Sequence, residues 1–240
     1  MGLFLNEVNF KTTRSDEFPF NLPIFKSDFT LKFSAPITFV LGENGVGKST
    51  FLENLAYKLG FNILGGNKNH TFNISKSFDN VKLSDYLKMS YKIKPTSGFF
   101  FRAESFFNFA GYIDELAEED KCIYRSYGGK SLQKQSHGES FLSLFQSRFK
   151  NGLYILDEPE AALSPERQFA LISLLKQKTQ TNECQFIIAT HSPILIATPN
   201  SIIYEITNNG NFEMVDYINT KQFQLYKSFI NNPERIIKML

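Results

Sequence analysis

The chain has 240 residues, with 26 Lys and Arg against 24 Asp and Glu for a net charge of +2, and it holds 26 Phe but no Trp. That length suits one large domain or two small ones with a sizeable core, and the interspersed charges demand no polyanionic partner while leaving room for a local basic face. Cys122 and Cys184 lack C-x-x-C spacing, which argues against a disulfide or zinc scaffold, and no apolar run nears the length of a membrane span. The N-terminus lacks a charged-then-apolar signal pattern, so the expectation is a cytoplasmic protein without membrane insertion.

Leu3 to Phe10 and Phe29 to Phe33 alternate apolar and polar residues, the pattern of half-buried antiparallel strands. Phe18-Pro19-Phe20-Asn21-Leu22-Pro23 between them is a proline-broken loop. Ile37 to Leu41 is a short apolar run bounded by Pro36 and Gly42, as a buried strand requires. Next comes Gly42-Glu43-Asn44-Gly45-Val46-Gly47-Lys48-Ser49, a full match to the phosphate-binding pattern G-x-x-x-x-G-K-[ST], and then Thr50. Phe51, Leu52, Leu55, Ala56 and Leu59 follow at helical spacing until Gly60. Glycines let successive N–H groups curl around an anion, and the helix start adds partial positive charge. Residues 42–50 are therefore expected to bind a nucleotide, with Lys48 reaching the β- and γ-phosphates of ATP and the Ser49 hydroxyl on Mg²⁺. An aromatic from the proline-broken loop, Phe20 first, is a candidate to stack on adenine, with a core role as the alternative.

From Asn62 to Lys150 the character changes. Gly65 to Asn69 reads as a loop and Val81 to Tyr91 as weakly helical. Lys82, Lys88, Lys92 and Lys94 form a basic group there, a solvated face or a contact for phosphates. Gly98 to Phe101 reads as a strand running into Arg102-Ala103-Glu104, and Phe106, Phe107, Ala110, Ile113, Leu116 and Ala117 recur at helical spacing. Gln135-Ser136-His137-Gly138-Glu139-Ser140 precedes a second helix with Phe141, Leu142, Leu144 and Phe145 on its apolar face. Ser136 and Gly138 at that helix start form a second candidate anion site, which a facing second subunit would use.

Gly152 to Leu156 is a continuous apolar strand that delivers Asp157 and Glu158 to its C-terminal end. Adjacent carboxylates suit phosphoryl hydrolysis, with Asp157 holding the metal that Ser49 touches and Glu158 taking a proton from water. Ser164-Pro165 starts a helix, Gln185 to Thr190 is another buried strand, and His191 follows it, placed to contact the γ-phosphate. Asn209-Gly210 marks a hairpin between Ile202–Ile206 and Phe212–Val215, and Pro233 to Leu240 reads as a last short helix.

In this order, Gly42 to Ser49 resembles Walker A, Ser136 to Glu139 the ABC signature, Leu153 to Glu158 Walker B, and His191 the switch histidine. The chain resembles ABC-type ATPases of the branch with SMC and RecF proteins, and is similar more narrowly to small stand-alone bacterial ATPases of AAA-family or ABC-like type. The narrower likeness rests on Gly98-Phe99-Phe100 leading to Arg102-Ala103-Glu104-Ser105, on Gln135 to Phe141, and on Asp157-Glu158-Pro159-Glu160-Ala161-Ala162-Leu163-Ser164-Pro165. The resemblance implies an α/β P-loop NTPase with a two-lobe head: a mostly parallel core sheet with N-terminal antiparallel strands (about 1–74 and 151–240) and an inserted helical lobe (about 75–150). It also implies ATP-dependent homodimerisation, with Ser136 and Gly138 of one copy completing the site of Lys48, Ser49 and Asp157 in the other. Glu158 would then be the general base, His191 the γ-phosphate contact, and Mg²⁺ the metal.

There are three departures from the ABC pattern: His137 and Glu139 stand where Gly and Gln are usual, Ser164 stands at the D-loop aspartate, and no glutamine follows Gly98–Phe101. Arg102 or Glu104 are the candidates to replace that glutamine, with a plain surface pair as the alternative. About ninety residues separate Lys48 from Ser136, too few for a long coiled coil. Three functions fit: an ATPase switch in a nucleic-acid-linked process such as DNA repair or anti-phage defence, with DNA or a separately encoded effector as partner; the ATPase subunit of a transporter; or a low-turnover ATP-binding module.

Overall fold

The computed structural model describes residues 4–13, 15–67, 83–181 and 183–238, with His137 described by its backbone alone. Strands β1 (Leu5–Phe10), β2 (Phe29–Lys32) and β4 (Leu87–Tyr91) form an antiparallel sheet in the order β2-β1-β4. Strands β3 (Ile37–Leu41), β5 (Gly98–Arg102), β6 (Gly152–Asp157), β7 (Cys184–Ala189), β8 (Ser201–Ile206) and β9 (Phe212–Met214) form the second sheet in the order β5-β6-β7-β3-β8-β9. All its pairings are parallel except the β8–β9 hairpin. Helices are α1 (Lys48–Lys58), α2 (Phe106–Glu119), α3 (His137–Arg148), α4 (Pro165–Gln180), α5 (Lys221–Asn231) and α6 (Pro233–Ile237). The fold is α/β with a mostly parallel core sheet and an antiparallel N-terminal one.

Strands β3, β5, β6 and β7 are buried almost throughout because both faces of the sheet are covered, which is why they read as unbroken apolar runs. Alternation divides their side chains. Phe100, Leu153, Ile155 and Ile187 face α1 and the antiparallel sheet, while Phe99, Phe101, Tyr154, Leu156 and Phe186 face α2, α3 and α4. On the latter side the phenylalanines form a continuous ring cluster: Phe101 lies 4.7 Å from Phe141 and 4.8 Å from Phe145, and Phe149 lies 4.8 Å from Phe186. Between the sheets stands the buried side chain of Gln185. Its oxygen accepts from Phe4 N (3.0 Å) and Leu5 N (2.9 Å), and its amide donates to Leu5 O (2.8 Å). On the free edge of β5, Gly66 pairs both ways with Phe100, at 2.8 and 2.9 Å.

One expectation needs correcting. Leu87–Tyr91 is a strand, not a weak helix: Leu87-Lys88-Met89-Ser90-Tyr91 alternates with period two and pairs along β1, and that tertiary pairing prevails over a marginal helical pattern. Lys88 is thereby on the antiparallel sheet and Lys92 and Lys94 just after it, not on a helical lobe; Val81, Lys82, Lys68 and Asn69 lie outside the described residues. The sequence patterns do not announce α5, whose N-cap Thr220 accepts from Phe223 N at 3.2 Å.

Candidate functional site

The loop after β3 turns directly into α1, whose N-cap Gly47 has φ 107°. A Cβ there would strike Ile24 at 2.5 Å, so both backbone and space demand glycine. The segment carrying Ile24 is joined to the loop by Ile24 N donating to Val46 O at 3.2 Å. Lys48 is buried, and its ammonium donates to Gly42 O (2.8 Å) and Glu43 O (2.9 Å), so the cation lies along the loop's own rim. Burial lowers its pKa, against the pull of Glu158, Asp157 and Glu160. Thr50 is in the first turn of α1, where its carbonyl accepts from Asn54.

The C-terminal ends of β6 and β7 bring the other groups to this loop, as expected where parallel strands end. Ser49 Oγ donates to Asp157 Oδ1 at 3.2 Å. Asp157 is buried, and desolvation pushes its carboxyl up to about 7, with Arg102 and Ser49 opposing and Glu158 and Glu53 adding to the rise. Glu158 has φ 51°, a left-handed conformation that costs a non-glycine residue of the order of 1 kcal/mol or more. It swings the carboxylate out of the sheet to within 3.7 Å of His191 Nε2. His191 is held by its backbone N–H, which donates to Glu160 Oε1 at 2.7 Å. Its Nε2 is buried and has no hydrogen-bond partner among the described residues, and burial together with Lys48 lowers its pKa. Ser192 beside it donates to Gln168 of α4, whose amide in turn donates to Leu163 O.

Arg102 is not a plain surface residue. The register of β5 on β6 sets it opposite Asp157. Its guanidinium binds the carboxylate of Glu53 in α1 and, at 2.6 Å, that of Glu104, and its Nε lies 3.9 Å from Asp157 Oδ2. Glu53 is 3% exposed, whereas Glu104 is mostly exposed. Sequence reasoning missed Glu53 and Glu160. The one available signal for Glu53 was its place four residues after Ser49, on the same face of a helix.

Lys48, Ser49, Asp157, Glu158 and His191 are thus brought together, while Ser136 and Gly138 make their described contacts elsewhere. Ser136 caps α3, with its N–H (3.1 Å) and hydroxyl (2.7 Å) both donating to Glu139 Oε2, and Arg167 donates to its hydroxyl at 3.2 Å. Gly138 packs so closely on Arg167 and Ala162 that a Cβ would meet them at 3.0 Å or less. Phe20 packs its ring edge-on against Tyr86 at 5.2 Å.

The residues fit a nucleotide with Mg²⁺. The loop offers a glycine cradle and a buried cation, and Ser49 with Asp157 offers the hard oxygen donors that Mg²⁺ accepts beside water and phosphate. No helix among the described residues is long and apolar enough to cross a membrane.

A family model described as "AAA domain, putative AbiEii toxin, Type IV TA system" matches residues 140–197. ABC transporter G family member 1 of Dictyostelium discoideum is 28% identical over 195 residues, covering 73% of this chain; the chain spans only 24% of that relative's length. Among solved structures, an SMC head bound to the C-winged helix domain of ScpA aligns with TM-score 0.52 and 16% identity, covering 88% of this chain and 97% of that one. cbiO1 from Clostridium perfringens, part of the ABC transporter complex cbiONQ, aligns with TM-score 0.52 and 18% identity, covering 98% and 97%.

Proposed function

We propose that this chain, an ABC/SMC-like P-loop ATPase by fold, binds ATP with Mg²⁺ at the Gly42–Ser49 loop, hydrolyses it, and uses the cycle to join and release two copies of itself. The observation that carries the reading is the convergence of Lys48, Ser49, Asp157, Glu158 and His191 from one loop and two strand ends. Glycine-loop N–H groups and the α1 N-terminus cradle the phosphates, and Lys48 exchanges the Gly42 and Glu43 carbonyls for phosphate oxygens. Ser49 and Asp157 hold Mg²⁺, which supplies charge neutralisation at the phosphate oxygens. Glu158, held outward by its backbone, accepts the proton of the attacking water, and His191 offers its unpartnered Nε2 to the γ-phosphate. Ser136 and Gly138 at the α3 N-terminus serve the nucleotide of the second copy.

We place this switch in a nucleic-acid-linked process, DNA repair or anti-phage defence, with DNA or a separately encoded effector as partner. The likeness to an SMC head and the toxin–antitoxin wording of the matching family model support that setting. The Dictyostelium relative favours a second reading, the ATPase component of a transporter. Sedimentation of Glu158→Gln with and without Mg-ATP, repeated with duplex DNA, tests the proposal. Conversion of monomer to dimer by Mg-ATP, enhanced by DNA, is the expected result. A protein that stays monomeric with ATP bound removes Ser136 and Gly138 from their role, and co-purification with a membrane protein selects the transporter.

A further inference from the structure

Four side chains form a series beside the candidate metal position, Ser49 to Asp157 to Arg102 to Glu53. Ser49 and Glu53 lie four residues apart on one face of α1, and Arg102 and Asp157 face each other across neighbouring strand ends. Asp157 divides its oxygens between the two sides: Oδ1 accepts from Ser49 at 3.2 Å, and Oδ2 faces Arg102 Nε at 3.9 Å. The far side of the guanidinium is fixed by Glu53 and Glu104.

Glu53 makes this arrangement informative. Its neighbours Leu52, Leu55 and Ala56 are core residues, and a leucine would fill such a position without the desolvation cost of a carboxylate. A buried acid is tolerated there because it has the guanidinium as its partner. The guanidinium, in turn, is locked in one rotamer by that acid. Because Glu53 and Glu104 already neutralise it, Arg102 can orient Asp157 without adding an uncompensated positive charge beside a cation.

We propose that Arg102, anchored by Glu53, is a positioning residue for the metal-binding carboxylate, turning Asp157 so that Oδ1 stays on the Ser49 side. This rests on the reading that ATP and Mg²⁺ bind at the Gly42–Ser49 loop. Outer partners that orient a metal ligand typically change metal affinity by about ten- to a hundredfold when removed. Arg102 acts through Asp157, so its loss weakens the metal and spares the phosphate cradle.

The test uses the full chain with the non-hydrolysable imido analogue of ATP and Mn²⁺, whose free ion is counted by electron paramagnetic resonance. Arg102→Gln is expected to raise half-saturating Mn²⁺ about tenfold. Affinity for the analogue in EDTA should stay within about twofold of the parent protein, because Lys48 and the loop are untouched. Arg102→Lys guards against a folding defect: it keeps a charge for Glu53, but an ammonium cannot span Glu53, Glu104 and Asp157 together, so its Mn²⁺ requirement rises too. A folded Arg102→Lys protein with unchanged Mn²⁺ half-saturation overturns the inference. So does a parallel loss of analogue binding in EDTA, which would make Arg102 a general support of the site. Parent protein that binds no analogue under any condition overturns the functional reading itself, and this inference with it.

Discussion

The pKa of Asp157 makes the site electrostatically costly to the fold, and replacing that residue should reveal the cost. Its carboxyl is pushed from 3.8 up to about 7, chiefly by burial. A carboxylate whose folded pKa is raised binds its proton more tightly in the native state, so its stabilising contribution is complete below pH 3.8 and is lost as pH climbs to 7. That difference corresponds to about 4 kcal/mol at pH 8, and to less than about 1 kcal/mol at pH 4. Asp157→Asn cannot ionise, yet its amide can still bond Ser49 on one side and face the Arg102 guanidinium with its oxygen on the other. Urea unfolding in EDTA should therefore show Asp157→Asn nearly equal to the parent at pH 4 and more stable by roughly 2–4 kcal/mol at pH 8. Comparing the two proteins isolates Asp157 from other titrating groups, including Glu160, whose pKa is also raised by burial. Added Mg²⁺ should stabilise the parent more than the variant. If the difference between the proteins does not grow from pH 4 to pH 8, the burial argument is wrong.

Gln185→Leu should cost about 2–4 kcal/mol in chemical denaturation, because it strands two buried N–H groups and a carbonyl of Phe4 and Leu5. A leucine variant within about 1 kcal/mol of the parent would mean that water takes over those bonds. Lys48→Ala should lose ATP binding, read by equilibrium titration with a fluorescent ATP analogue, while keeping its melting temperature within a few degrees. Gly47→Ala should impair folding and binding together, since it strains φ 107° and drives a methyl into Ile24; near-normal binding would show that the loop can yield.

Much of the core was legible because burial on both faces writes itself into sequence. The runs Ile37–Leu41, Gly152–Leu156 and Gln185–Ala189 have no polar rhythm, and each is a central strand. The turn from β3 through Gly42–Ser49 into α1 was equally readable, because a glycine-spaced loop between a buried apolar run and a helical pattern admits few backbones. Leu87–Tyr91 was not, since five residues of weak alternation gain their identity from β1, which is distant in sequence. Glu53 and Glu160 look like ordinary solvated acids in one dimension. Only the packing of α1 against β5, and of the turn after β6 against the turn after β7, gives them partners. The Arg102–Asp157 pairing depends on strand register, which no single segment encodes.

The pairing of Gly66 with Phe100 also bears on how the chain survives before it is fully folded. Gly98-Phe99-Phe100-Phe101 is a three-ring apolar strand at the rim of a sheet, the kind of segment that recruits identical segments from other molecules. Two hydrogen bonds with Gly66 occupy both polar groups of Phe100 at its middle, and Gly66 sits at φ 133°, a backbone that favours glycine. The shield is supplied from a part of the chain made earlier, so it is available when the strand emerges during synthesis. Among the described residues these two backbone bonds cover the middle of that rim: a proline at Gly66 would remove one donor, and light scattering at high concentration should then rise although no residue of the Gly42–Ser49 loop is touched.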